Sequence, residues 1–517
     1  MRTPPGGEGR RGPARRWTGT ATRTERDFLG EIEVPQEAYY GIATVRAAAN
    51  FPVSGQRVHP ELIKSLALVK QAAALANVEA GLLDRRIGEA IARAAAEVAE
   101  GALADQFIVD AFQGGAGTST NMNMNEVLAN RAIEILGGTR GDYSLVHPLD
   151  HVNLSQSTND TYPTALRIAA IRLLRPLTDA FASLQSALQA KEAEFAGVLK
   201  PGRTQLQDAV PITLGLEFSA WAEAVARDRW RLYKMEERLR QVNLGGTAVG
   251  TGLGADRRYV FLVIEKLREL TGLGLARAEN TVDPTQNADV FVEVSGLLKA
   301  GAVTLAKISG DLRLLSSGPG AGLAEIALPQ LQPGSSIMPG KVNPVIPEMV
   351  TQVAYQVIAG DLAITLAAQA GQLELNAFLP LVAHHLLGSM SLLTRTLGIF
   401  VEKCVRGITA DRQRCRDLLE RSDGLATALV PHIGYAEACR VLHEAHQCGR
   451  PLAQVVAEKG LLPEEDVQVI FSKEELTRPG IPGSRLLKKR PTPVEGPCPR
   501  AQQDAPAEGA RGREVQP

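Results

Sequence analysis

The sequence predicts an all-α fold built around a bundle of five long helices. Three observations carry that reading. Apolar residues recur every three or four positions over most of the chain, the periodic stretches outrun an ordinary globular helix, and short polar or glycine-containing segments separate them. The first long pattern places Leu166, Ala169, Leu173, Leu177, Ala180, Leu184 and Leu188 along one stripe, with Pro176 predicting a kink. Comparable patterns run over 211–241, 289–316, 344–370 and 375–401. Long Ala- and Leu-rich helices joined by short connections make a bundle. The stretches 290–298 and 297–308 are apolar nearly all round, more than a single bundle can hide, so the helices are expected to bury one another across subunits.

Five segments are expected along the chain. Residues 1–22 are rich in Arg, Gly and Pro, Arg10, Arg11, Arg15 and Arg16 among them, and have no apolar period to bury, so they read as a disordered extension. Their Gly and Pro content breaks the amphipathic helix that a transit peptide needs. An N-terminal helical domain is expected over 23–156, the central bundle over 157–410 and a small helical domain over 411–486. A second disordered segment, 487–517, carries Lys488, Lys489 and Arg490 before a Pro-, Gln- and Glu-rich end.

Composition narrows the function class. With 44% hydrophobic and 22% charged residues the chain reads as an ordinary soluble globular protein, and a net charge of -1 supplies no field for nucleic acid or an acidic membrane. No run of roughly 18 uninterrupted apolar residues is evident, so no membrane span is expected. The five cysteines fall late in the chain without a Cys-x-x-Cys pair, which argues against a disulfide framework or zinc ribbon and suits a cytoplasmic location. Small-molecule chemistry is the expectation.

The residues that suit such chemistry gather at boundaries between helical patterns. The loop from Gly334 through Ser335, Ser336, Ile337, Met338, Pro339, Gly340, Lys341, Val342 and Asn343 to Pro344 combines hydroxyls, backbone amides and a lysine in a glycine- and proline-framed turn. That is anion chemistry. A glycine-rich turn at 114–117 leads into Thr118, Ser119, Thr120 and Asn121, ahead of a helix whose N-terminus favours anions. His147 to Asn153 runs into Ser155, Gln156, Ser157, Thr158, Asn159 and Asp160, again before a long helix. Gly202, Arg203, Thr204 and Gln205 form a further polar segment, and Tyr39, Tyr40 and Gly41 with Arg46 lie near the folded N-terminus. Each alone reads as an ordinary N-cap or loop.

Together, in order and spacing over about 23–482, these segments resemble the aspartase/fumarase superfamily of elimination enzymes. The resemblance implies three all-α domains per chain and a homotetramer whose bundles form a 20-helix core, with active sites shared between subunits. It also implies removal of a carbon-bound proton beside a carboxylate, leaving fumarate. Such a step places a second charge on the carboxylate, and preorganised donors must stabilise it. By similarity Ser335 is the base, Ser336 and Asn343 position the substrate, and Lys341 supplies a point charge. Thr118, Ser157, Thr158, Asn159, Thr204, Gln205 and Arg46 are then substrate contacts. No cofactor and no bound metal are implied, with Mg2+ as an activator in some members.

Gln205 separates the branches of that family. Fumarases carry a histidine at this position, and glutamine cannot titrate near neutrality. Gly117 to Thr120, Ser155 to Thr158, Thr285 to Asp289 and Pro344 to Glu348 also look like the aspartase branch. The implied reaction is reversible deamination of L-aspartate to fumarate, with class II fumarase or a non-catalytic helical scaffold as alternatives. Leu149, Gly254, Val430 and His432 depart from the family pattern. Two other signals carry less. Gly250 to Ala255 lacks the strand that a dinucleotide fingerprint requires, and Cys439, His443 and His446 share a helical face of the kind that is usually solvated rather than metal-bound.

Overall fold

The computed structural model describes residues 21–487, so the two expected disordered segments lie, but for their inner ends, outside the described residues. The chain divides into two compact units. The larger combines residues up to Val198 with Thr213–Cys415, and the smaller combines Leu199–Ile212 with residues from Arg416 onward.

The larger unit opens on an antiparallel pair, β1 (Thr22–Asp27) and β2 (Gly30–Pro35), followed by α1 (Ile42–Asn50), α2 (Pro60–Glu79), α3 (Arg85–Glu100) and α4 (Thr118–Ile135). Asp84 starts α3 by accepting the amides of Arg86 and Ile87, and Gly101 ends it in a left-handed conformation. The five long helices are α5 (Thr158–Phe195), α6 (Leu214–Leu239), α9 (Asp289–Leu315), α10 (Val345–Gln369) and α11 (Leu379–Lys403), with α7 (Arg257–Thr271) and the short α8 (Asp283–Gln286) between α6 and α9. Every expected long helix is present, four of them within four residues of their expected ends, while α5 extends seven or eight residues beyond the expected stripe at each end. Helix α5 has 38 residues, spans about 57 Å at 1.5 Å per residue, and continues through Pro163 and Pro176.

The bundle closes on itself. Helix α5 packs on α6, α6 on α9, α9 on α10, α10 on α11, and α11 returns to α5. Leu166, Leu177, Leu184, Phe218, Leu298, Leu305, Val350, Leu386 and Phe400 fill the interior. Much apolar surface still faces outward from one chain: Tyr355, Leu362 and Leu366 share one face of α10 and are each more than half exposed. Helix α10 is long and apolar enough to cross a membrane by length and composition only, although no run of 18 uninterrupted apolar residues occurs in it. Its middle, however, carries the buried Asp361, which accepts hydrogen bonds from Ser295 and Lys299 of α9.

Two departures from the sequence reading concern 199–213. The helix expected from residue 211 begins at Leu214, because the preceding residues form the two-stranded sheet β3 (Leu199–Thr204) and β4 (Gln207–Thr213). Pro211 suits a strand better than a helix interior, and Thr213 starts α6 by accepting the Leu216 amide. Residues 199–212 were also expected within the central bundle, but they pack in the smaller unit, where a Cβ on Gly424 would lie 2.0 Å from the Ala209 carbonyl oxygen. After α12 (Arg412–Glu420), that unit gathers α13 (Ala426–Ile433), α14 (Tyr435–Cys448), α15 (Leu452–Glu458) and α16 (Glu464–Ile470) around Leu429, Val441, Val456 and Ile470.

Candidate active site

The N-terminus of α5 is a candidate anion subsite. Ser157 is its N-cap: Oγ accepts the Asn159 amide at 3.2 Å, while Asp160 Oδ1 reaches back to the Ser157 amide at 3.0 Å, a capping box. Asp160 is fully buried, and its other oxygen accepts the amides of Gly245 and Thr247 at 3.1 and 3.0 Å. Burial pushes its pKa up to about 6 against the pull of these donors. One carboxylate thereby ties the helix start to the 243–254 loop. Asn159 adds a bond to the Ala248 carbonyl at 2.8 Å, and Asn243 donates to the Asn159 carbonyl at 2.9 Å. Sequence reasoning set this glycine-rich loop aside as a failed dinucleotide motif. Its role is to shape the floor beside Asn159.

Helix α4 starts alongside. Gly117 has φ +93, and a Cβ there would sit 2.3 Å from the Tyr162 ring of α5, so only glycine lets the two helix starts approach. Thr161 of α5 donates to Asn121 Oδ1 at 3.4 Å. Thr118 and the Ser157, Thr158 and Asn159 turn therefore converge within one chain. This corrects the expectation that they meet only across subunits.

Behind both helix starts lies Lys70, a fully buried residue of α2 that sequence reasoning missed. Its Nζ donates to Asn153 Oδ1 and Gln156 Oε1, each at 2.9 Å, and Asn153 Oδ1 also receives the side-chain amides of Asn121 and Asn125. Burial lowers the Lys70 pKa to about 7, with Asp160 opposing that fall. The signal that marks it in the sequence is its setting: Leu66, Ala67, Ala73 and Ala74 surround it at helical spacing.

The loop at Ser335 is folded by its own backbone. Gly334 donates to the Lys341 carbonyl at 2.7 Å, Asn343 Nδ2 donates to the Gly334 carbonyl at 2.8 Å, and Gly340 turns the chain at φ +79. A Cβ on Gly334 would meet Lys341 O at 2.8 Å. Ser335 Oγ accepts two backbone amides, from Ile337 at 3.2 Å and Met338 at 3.0 Å. Two converging N–H dipoles are what a hydroxyl needs in order to carry negative charge. Ser336 and Lys341 are exposed, and Ile337 is 82% exposed, so an apolar residue and a cation stand together on a surface that this chain leaves open.

The remaining expected contacts lie elsewhere. Thr204 and Gln205 form part of the turn between β3 and β4 in the smaller unit, exposed, with Gln205 and Leu206 at φ +54 and +64. Arg46 projects from α1, where Nε and Nη2 bind the Asp27 carboxylate at 2.8 Å and Nη2 also donates to the Gly30 carbonyl. A substrate carboxylate would have to compete with Asp27 for it. Among the described residues no group of three or more His, Cys, Asp or Glu is arranged to hold a metal, and His446 pairs with Asp423 while His443 bonds Gln447.

Comparison with known proteins identifies the family. The family model described as Lyase matches residues 30–359, and the model described as Fumarase C C-terminus matches 425–478. A Bacillus sp. aspartate ammonia-lyase is 51% identical over 90% of this chain and 100% of its own length. The Escherichia coli K12 aspartate ammonia-lyase is 46% identical over 90% of this chain and 98% of its own. Among solved structures, a Brucella melitensis fumarate lyase:delta crystallin bound to cobalt is 50% identical, superposes with a TM-score of 0.85, and is covered over 98% of its length by 87% of this chain. A Schistosoma mansoni class II fumarase is 35% identical, with a TM-score of 0.83, 87% of this chain covering 99% of it.

Proposed function

Because this chain belongs to the lyase family that includes the aspartate ammonia-lyases and the class II fumarases, we propose that it eliminates ammonia from L-aspartate to give fumarate, reversibly, with Ser335 as the base. The observation that carries the proposal is the pair of amides on Ser335 Oγ. Ser335 takes the proton from C3 of L-aspartate. The electron pair is held on the adjacent carboxylate as an enediolate, and its collapse expels the amino group from C2. A serine hydroxyl is a poor base unless its deprotonated form is stabilised, and the amides of Ile337 and Met338 with the Lys341 cation supply that stabilisation once water is excluded.

The substrate carboxylates fall to the donors at the start of α5, Ser157, Thr158 and Asn159, with Thr118 beside them. Gln205 favours ammonia over water as the leaving group: the substrate's amino group is already protonated and departs as neutral ammonia without a general acid, and glutamine cannot act as one. Completing the site takes more than one chain. The exposed face of Tyr355, Leu362 and Leu366 on α10 is the surface through which we expect the bundles of a homotetramer to associate.

The purified protein is tested by the absorbance of fumarate with L-aspartate, L-malate and argininosuccinate offered separately. Fumarate from L-aspartate with at most a trace from L-malate is the expected result. Comparable rates on both would overturn the assignment, and activity on L-malate alone would make the chain a fumarase. The chemistry needs no cofactor, and parallel rates in EDTA and in Mg2+ test whether a divalent cation acts as an activator.

A further inference from the structure

A buried lysine normally sits against a carboxylate, because taking an ammonium out of water costs several kcal/mol unless an opposite charge offsets it. Lys70 departs from this. Its two described acceptors are the neutral amide oxygens of Asn153 and Gln156. Asp160, the charge that bears on it electrostatically, gives its oxygens to the backbone amides of Ser157, Gly245 and Thr247. The other side chains of the cage, Asn121 and Asn125, donate to Asn153 Oδ1 rather than to a charge. The cage thus stabilises the ammonium with dipoles and leaves its charge only partly neutralised.

Its position matters. Gln156 directly precedes the N-cap Ser157, and Asn121 lies one turn into α4, so the ammonium stands behind the two helix N-termini that converge on the anion subsite. Both helix dipoles and the Lys70 charge then add at one place. We propose that Lys70 is a positioning residue whose side-chain amine becomes fully protonated to the ammonium when a dicarboxylate occupies the subsite at Ser157 and Asn159, so that substrate binding is coupled to uptake of a proton. This rests on the functional reading above, since the coupling needs an anionic ligand there. Linkage fixes the sign: an anion nearby favours the charged lysine, so protons are taken up on binding between the pH at which the empty site deprotonates and the higher pH at which the occupied site does, with the largest uptake midway. The lower of these, in the empty protein, is about 7.

The experiment is calorimetric titration of the assembled enzyme with fumarate at pH 7 to 9, in two buffers of different ionisation enthalpy, which counts protons taken up per site. Wild type is expected to take up a fraction of a proton that passes through a maximum above pH 7, and as pH rises through that interval fumarate affinity should fall by about tenfold in all for each pKa unit gained by Lys70 on binding. Lys70→Met, with its fold checked by circular dichroism and native mass spectrometry, should bind fumarate more weakly at pH 7 and lose the proton uptake. Lys70→Gln serves if the methionine variant does not fold, and the wild-type proton count decides if neither does. Binding without uptake, or a folded variant with undiminished uptake, overturns the role of Lys70 and leaves the reaction untouched. No fumarate binding at all overturns the functional reading, and this proposal with it.

Discussion

The Met338 amide donates to Ser335 Oγ at 3.0 Å, and the Ile337 amide joins it at 3.2 Å. This is the geometry of an N-capping serine, yet the residues that follow form no helix, so the two amides act on the hydroxyl rather than on a helix end. Ser335→Ala removes the hydroxyl proposed as the base while the loop keeps its closure through Gly334, Lys341 and Asn343. Turnover should fall by about 10²- to 10⁴-fold, with KM changed much less. Retention of more than about a tenth of wild-type turnover would reduce Ser335 to a binding contact.

Lys341→Ala should behave differently. An ammonium that attracts a carboxylate in the ground state and more strongly in the dianionic transition state contributes to both constants, so kcat should fall and KM should rise. Steady-state kinetics on L-aspartate separates the cases, and a raised KM with unchanged kcat would contradict a role at the enediolate.

Subunit mixing tests how the site is assembled. Gly117 lies against Tyr162, so Thr118 and Ser157 come from one chain, whereas the Ser335 loop leaves its cation and Ile337 on an open surface. Inactive Ser157→Ala and Ser335→Ala proteins, exchanged into hybrids detected by native mass spectrometry, should recover partial activity because some sites carry neither lesion. Hybrids of Ser157→Ala with a Thr118 variant should recover none, since both lesions fall on the same chain's contribution.

A stability prediction concerns His59, which starts α2. Its Nδ1 accepts the Glu61 amide at 3.2 Å and Nε2 pairs with Ser391 Oγ at 2.9 Å. Burial, helped by Arg395 and His384, lowers its pKa to about 4. A depressed folded-state pKa means that the unfolded chain binds the proton first. The contribution of His59 is therefore complete above the unfolded value near 6.5 and is lost as pH falls towards 4, in all about 3–4 kcal/mol. Thermal unfolding of His59→Gln should lose less stability than wild type between pH 6.5 and pH 4, while the two stay closer at pH 8. Parallel curves would show that the folded protein protonates His59 as readily as the unfolded chain does, and would contradict the depressed pKa.

Much of this architecture was legible in the sequence. All five bundle helices follow from apolar period, and Ser157 reads as a helix start because a capping box is a local pattern completed within four residues. The misreadings share a cause. Residues 199–213 looked like a lead-in to a helix, yet Gln205 and Leu206 turn the chain and the pair of strands docks beside Gly424, a partner more than two hundred positions away. Arg46 looked like a free cation, but Asp27 on a neighbouring hairpin holds it.

By itself the sequence determined the helical class, the lengths of the bundle helices and the chemical character of the loops at 114–121, 155–160 and 334–344, because periodicity, capping and turn chemistry act over a few residues. Only the tertiary structure decided that the starts of α4 and α5 adjoin, that Asp160 pins the 243–254 loop, and that Lys70 stands buried behind both. The partner of a buried polar group is set by which distant segments the packing brings within about 3 Å, and no local pattern carries that distance.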